Sequence, residues 1–159
     1  MSKTKIIHPS EGKKVNPTPA ENLIFKLTGE DTNGALDLVE GTIGYQAGPV
    51  MHIHQDQDEI FYILDGSLHW RIGEETLDTE AGDTVYVPRG VPHTYINLSE
   101  KPARAIAVFS PGGFDRFMDA WTALLATSPS PEEMGELAAR YNQVAVGPPL
   151  AVAMGLNGK

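Results

Sequence analysis

The stretch HIHQDQDEIFYILDG, His52 to Gly66, sets two histidines one residue apart and a glutamate five positions after the second, then runs into aliphatic and aromatic residues. Uncompensated burial of such polar groups costs several kcal/mol, so ionisable residues beside apolar runs need hydrogen-bond partners or a metal ion. In a strand, alternate side chains share a face, which puts His52 and His54 on one side with Cα atoms roughly 6.5–7 Å apart. The polar QDQD suits a tight connection, and an antiparallel return would bring Glu59 beside the histidine pair. Phe61 and Ile63 then share the Glu59 face. Ile60, Tyr62 and Leu64 occupy the other face, which is also apolar and needs cover from a second copy, an N-terminal strand or the tail. A homodimer is the expected arrangement.

The second informative stretch is GDTVYVPRGVPHTYIN, Gly82 to Asn97. Pro88-Arg89-Gly90 reads as a turn, because proline fixes φ and glycine tolerates positive φ. His93 opens the strand that follows, with Tyr95 and Asn97 on its face. If that strand lies near the first pair, three imidazoles and one carboxylate meet, a donor set that suits manganese, iron, cobalt, nickel, copper or zinc. An H-x-H pair alone is a weak signal. His8 and His69 read as surface residues, the latter because it alternates with Leu68, Trp70 and Ile72.

From about Leu23 to Phe109 the chain shows short apolar or alternating runs between turn signals, the pattern of a β-sandwich or barrel. Asn33-Gly34 marks a hairpin. After SPGG the period changes: Phe114, Phe117, Met118 and Trp121 predict an amphipathic helix over about 114–126. Ser130, Pro131 and Glu133 form a helix start ahead of a Met134, Leu137, Ala138 and Tyr141 stripe. VGPPLAVAMGLNGK, from Val146 on, reads as irregular. The expected organisation is a β-barrel over residues 1–112 and a helical extension over 113–159, packed on it as part of the same domain.

The 159 residues are enough to bury roughly 70% of the unfolded surface, so a metal would serve chemistry rather than hold the fold. With no cysteine there are neither disulfides nor thiolate ligands. A net charge of -9 argues against nucleic acid. No apolar run approaches the 18 or so residues of a membrane helix, and no export signal leads the chain, so a cytoplasmic location without membrane association is expected.

The two stretches resemble the paired signatures of the cupin family, G(X)5HXH(X)3-4E(X)6G and G(X)5PXG(X)2H(X)3N. Gly82, Pro88, Gly90, His93 and Asn97 match the second in full. His52, His54, Glu59 and Gly66 match the first, which lacks its leading glycine: Gly44 is too far upstream and Gly48 too near. The resemblance implies a mainly β fold, the double-stranded β-helix or jelly-roll barrel, here with two C-terminal helices. It also implies one divalent transition metal on His52, His54, Glu59 and His93. The tail is similar to that of small single-domain cupins resembling flavonol (quercetin) dioxygenases.

That likeness implies a dioxygenase acting on a flavonol-like or other enol- or hydroxyl-bearing aromatic molecule, with dioxygen as co-substrate and Glu59 taking the substrate proton as the catalytic residue. Phe61, Trp70 and Tyr95 are expected to line the substrate pocket, with Tyr45, Met51, Tyr86, Phe109 and the first tail helix as further candidates; Ile63 reads as core. A non-catalytic metal or small-molecule binding module, and a metal-dependent isomerase or hydrolase, are the alternatives, since one fold hosts many chemistries.

Overall fold

The computed structural model describes residues 4–156. Two antiparallel sheets face one another. The first joins β1 (Lys13–Thr18), β2 (Glu21–Leu27), β3 (Asp37–Ile43), β10 (Ala103–Ser110), β5 (Asp58–Asp65) and β8 (Thr84–Val87), in the order β1-β2-β3-β10-β5-β8. The second has the order β11-β4-β9-β6-β7, from β11 (Gln143–Pro149), β4 (Val50–His54), β9 (His93–Ile96), β6 (Ser67–Ile72) and β7 (Glu75–Glu80). The order interleaves early and late strands, as in a double-stranded β-helix, and matches the fold expected from the sequence.

Strand alternation sets the interior. In β5, Glu59, Phe61 and Ile63 are buried while Ile60, Tyr62 and Leu64 are 41%, 47% and 38% exposed. In β6, Leu68 and Trp70 are buried, and His69 faces outward, with Nδ1 2.6 Å from Asp78 Oδ1. Neither the N-terminal strand nor the helices cover the outer face of β5, so among the described residues that face stays open.

Two strands differ from the sequence reading. Lys13–Thr18, which showed no strand pattern, pairs with β2 as the edge of its sheet. Gln143–Pro149, within and just before the stretch read as irregular, pairs with β4 as the edge of the other sheet, and the short α3 (Leu150–Ala153) follows it. Pro17 and the Gly147-Pro148-Pro149 run conceal both strands, because proline withholds a ladder donor and is tolerated at edges. Residues 157–159 of the tail lie outside the described residues.

The helices α1 (Phe114–Leu125) and α2 (Pro131–Arg140) fall where the periodicity put them. Ser130 and Glu133 close a reciprocal capping box, which satisfies two N–H groups that the first turn of α2 would otherwise leave unpaired. α1 has no cap from its own segment. Asp37 of β3 supplies one instead, its Oδ2 accepting from the N–H groups of Gly113, Phe114 and Asp115 at 2.8, 2.6 and 3.3 Å. Lys13 of β1 adds a second tie, its Nζ 3.1 Å from Asp115 Oδ2 and 2.5 Å from Asp119 Oδ2. These contacts seat α1 against the barrel, with Phe114 stacked on Phe109 at 3.9 Å between ring centres.

Candidate metal centre and cavity

Three strands from both sheets bring the ionisable residues of the two stretches together. His52 and His54 share a face of β4, His93 opens β9 directly opposite His52, and Glu59 enters from β5 in the other sheet. One ligand atom from each of the four lies within 4.8 Å of all the others. His54, Glu59 and His93 are buried, and His52 keeps partial exposure along the cavity it lines.

The hydrogen bonding around the rings sets which ring nitrogens face the centre of the cluster. His52 Nδ1 lies 2.8 Å from the Val50 carbonyl and His93 Nδ1 lies 3.0 Å from that of Val91. A carbonyl only accepts, so each Nδ1 carries a proton and each Nε2 turns inward, as a lone pair when the ring is neutral and, for His93, as an N–H donated to Glu59 when the ring is charged. His52 Nε2 then meets His54 Nε2 at 3.0 Å, and His93 Nε2 meets Glu59 Oε2 at 2.8 Å. His54 Nε2 lies 3.6 Å from the same carboxylate oxygen. Four potential ligand atoms thus converge within 4.8 Å of one another, a set that a divalent cation could draw into coordination. Fixing a ligand's tautomer through its other ring nitrogen is what metal-binding histidines ordinarily require.

Burial, and next the charge of the neighbouring imidazoles, pushes the pKa values of His52 and His54 down to about 3. Metal binding needs the neutral ring, so both are ready at neutral pH. Burial also works against a charged His93, but its hydrogen bond to Glu59 and that carboxylate's charge outweigh it and raise the pKa. Nδ1 of His54 is buried without a hydrogen bond of good geometry, and Gln57 lies beside it. Gln57 in turn accepts at 3.2 Å from Gln143 Nε2 of β11, which ties the tail strand to the cluster.

The cluster borders a cavity of about 360 Å³, within the usual range of roughly 300–1,000 Å³ for small-molecule sites. Of the residues expected in its wall, Phe61, Tyr95 and Phe109 are there. The others are not. Trp70 is inside the barrel but packs behind Phe61 and Tyr95, at 4.8 and 5.0 Å between ring centres, and its Nε1 donates to Thr79 Oγ1 at 2.9 Å. Tyr45 and Tyr86 are 51% and 58% exposed, the first in a loop and the second on the outer side of β8. Met51 points opposite to His52 and lies under Gly147 of β11. Ile63 is fully buried core, as expected.

The first tail helix does form part of the wall, through Phe114, Phe117, Met118 and Trp121. Two buried polar wall residues escaped the sequence reading. Gln143 belongs to the unrecognised β11, and Glu21 begins β2 one position before the first apolar run. Gly48 explains the irregular first signature: a Cβ there would stand 1.9 Å from the Tyr95 carbonyl oxygen, so the backbone requires glycine at that position rather than at the family spacing.

Comparison with known proteins agrees with this architecture. Residues 40–109 match the cupin domain family model. The tetracenomycin polyketide synthase protein TcmJ of Streptomyces glaucescens is 33% identical over 60 residues, which cover 38% of this chain and 40% of that protein. The chain spans about half the length of the curated relatives it matches. Among solved structures, KdgF from Halomonas sp. superposes with a TM-score of 0.64 at 20% identity, over 72% of this chain and 99% of that one. The polyketide cyclase RemF from Streptomyces resistomycificus superposes at 0.59 and 18% identity, over 68% and 80% of the two chains. Residues 40–109 therefore resemble the cupin domain, and the described chain has the cupin fold.

Proposed function

We propose that this protein is a metal-dependent cupin enzyme that takes an enol- or hydroxyl-bearing aromatic small molecule, with dioxygen as its second substrate. The carrying observation is the convergence of His52, His54, Glu59 and His93 at the wall of a mainly apolar cavity that also carries aromatic side chains. A divalent metal bound there would supply Lewis acidity that favours the anionic form of a substrate hydroxyl. Glu59 holds a carboxylate oxygen where that hydroxyl proton would be released, and the neighbouring His93 shares its charge. Phe61, Tyr95, Phe109 and Phe114 offer flat faces to a planar ring, and α1 adds Phe117, Met118 and Trp121 to the apolar wall. The oxygenase reading rests on the sequence resemblance of the tail, SPGGFDRFMDAW and VGPPL, to that of the flavonol dioxygenases.

A second reading is metal-assisted rearrangement of such a molecule without oxygen, and the resemblance to a polyketide cyclase favours it. One experiment separates the two. Metal-free protein is reconstituted in turn with manganese, iron, cobalt, nickel, copper and zinc, and offered flavonols, diketones and catechols while oxygen uptake and absorbance are followed. Turnover with oxygen uptake supports the oxygenase. Turnover that persists unchanged under argon supports rearrangement, and absence of turnover in every form refutes both. Glu59→Gln should lower kcat more than Tyr95→Phe does, because the amide cannot take a proton.

A further inference from the structure

Glu21 is a buried carboxylate, 8% exposed, in the wall of an apolar cavity and outside the metal cluster. Its position follows from the β1–β2 hairpin, in which Thr18 pairs with Glu21 across a two-residue turn and donates its hydroxyl to Oε2 at 3.1 Å. Among the described residues no lysine, arginine or histidine pairs with it. One neutral hydroxyl is thin compensation for a buried carboxylate, and burial raises the pKa more than Thr18 lowers it.

The strand register places this group far from the metal centre. Glu21 lies opposite Ile43, Ile43 lies opposite Ala103, and Glu59 lies opposite Phe109 of the same β10. Ala103 and Phe109 are six positions apart, which is roughly 20 Å along a strand. Tyr95, in the same cavity wall, lies within electrostatic reach of both carboxylates. The cavity therefore has a donor-rich metal pole, a middle of apolar and aromatic side chains, and a lone acceptor pole at Thr18 and Glu21.

We propose that Glu21 is a specificity residue that accepts a hydrogen bond from an O–H or N–H group at the end of the ligand remote from the metal. This rests on the reading above and deepens it: the substrate class becomes elongated aromatic molecules with a metal-binding oxygen at one end and a hydrogen-bond donor at the other. A ligand without the distal donor leaves Glu21 desolvated with only the Thr18 hydroxyl for a partner, and that loss is the source of discrimination.

The test measures binding of two probes by calorimetry, 3-hydroxyflavone lengthened at C4′ by either a 4-hydroxyphenyl or a 4-methoxyphenyl ring so that it spans from the metal pole to Glu21, to metal-free and zinc-loaded protein. Zinc binds without redox turnover. The wild type should prefer the hydroxyl probe by about tenfold or more, the effect of one hydrogen bond to a charged group. Glu21→Leu should abolish the preference while the methoxy probe keeps its affinity, and Glu21→Gln, which retains an acceptor, should keep part of it. A preference that survives in Glu21→Leu overturns the proposal, as does failure of both probes to bind the wild type. If the preference depends on Glu21 but zinc changes neither affinity, the proposal stands and the metal-dependent reading falls. If zinc tightens both probes equally and Glu21 has no effect, the reverse holds.

Discussion

Removing the Asp37 carboxylate should loosen α1 and the cavity wall it carries, although Asp37 touches neither the metal cluster nor the cavity. The side chain is fully buried, and one of its oxygens accepts from three N–H groups of the α1 N-terminus. Losing a helix cap costs about 1–2 kcal/mol. The Asp115 N–H is buried here, and leaving such a donor unpaired costs roughly 1–3 kcal/mol more. Against this, Asp37→Ala relieves the desolvation that raises the Asp37 pKa and the burial of its unpartnered Oδ1. The net expectation is about 3 kcal/mol of destabilisation, a fall in Tm of about 10 °C for a chain of this size. Asp37→Asn keeps an acceptor and should cost about 1 kcal/mol. Urea denaturation followed by circular dichroism gives both values, and fluorescence of an aromatic probe in the folded protein reports the cavity, since α1 supplies Phe117, Met118 and Trp121 to its wall. If Asp37→Ala unfolds within about 0.5 kcal/mol of the wild type with an unchanged m value, the capping argument is wrong.

In metal-free protein the pKa values of His52 and His54 lie near 3 instead of 6.5, so below pH 6.5 the unfolded chain binds more protons and stability falls with pH. The loss is about 2 kcal/mol per ring by pH 5. His93, with its raised pKa, works oppositely: its contribution is full below pH 6.5 and is lost as pH rises through its folded value. Urea midpoints at pH 7.5 and 5 should show a smaller drop for His52→Gln than for the wild type, and equal drops would refute the assignment. Trp70→Phe should cost about 1–2 kcal/mol through its lost bond to Thr79 yet leave ligand affinity unchanged, because Trp70 does not reach the cavity; a weaker Kd would show that it does. The open apolar face of Ile60, Tyr62, Leu64 and Tyr86 should hold two copies together, so sedimentation should give a dimer at micromolar concentration and a monomer for Tyr62→Asp. A monomeric wild type would refute that.

Strand parity made much of the site legible: His52 with His54, and Glu59 with Phe61 and Ile63, share faces because side chains alternate whatever the surroundings. The α2 start was equally plain, since Ser130 and Glu133 act within one turn. Parity says only that a residue faces inward, not which part of the interior it meets. Trp70 was read correctly as inward and wrongly as wall, because Phe61 and Tyr95 take the cavity face in front of it. Glu21, Gln143 and the Asp37 cap were invisible for a related reason. Each owes its role to a partner more than 70 positions away or to a proline-bearing edge strand, and no local pattern records either.

The central claim is that His52, His54, Glu59 and His93 hold a metal. Elemental analysis of protein purified without chelators and without a nickel column tests it most directly. The account predicts close to one divalent transition metal per chain in the wild type and background levels in the His52→Ala, His93→Ala double variant, with both proteins folded. Equal metal content in the two, or none in the wild type even after reconstitution with each of the six candidate ions, would contradict it.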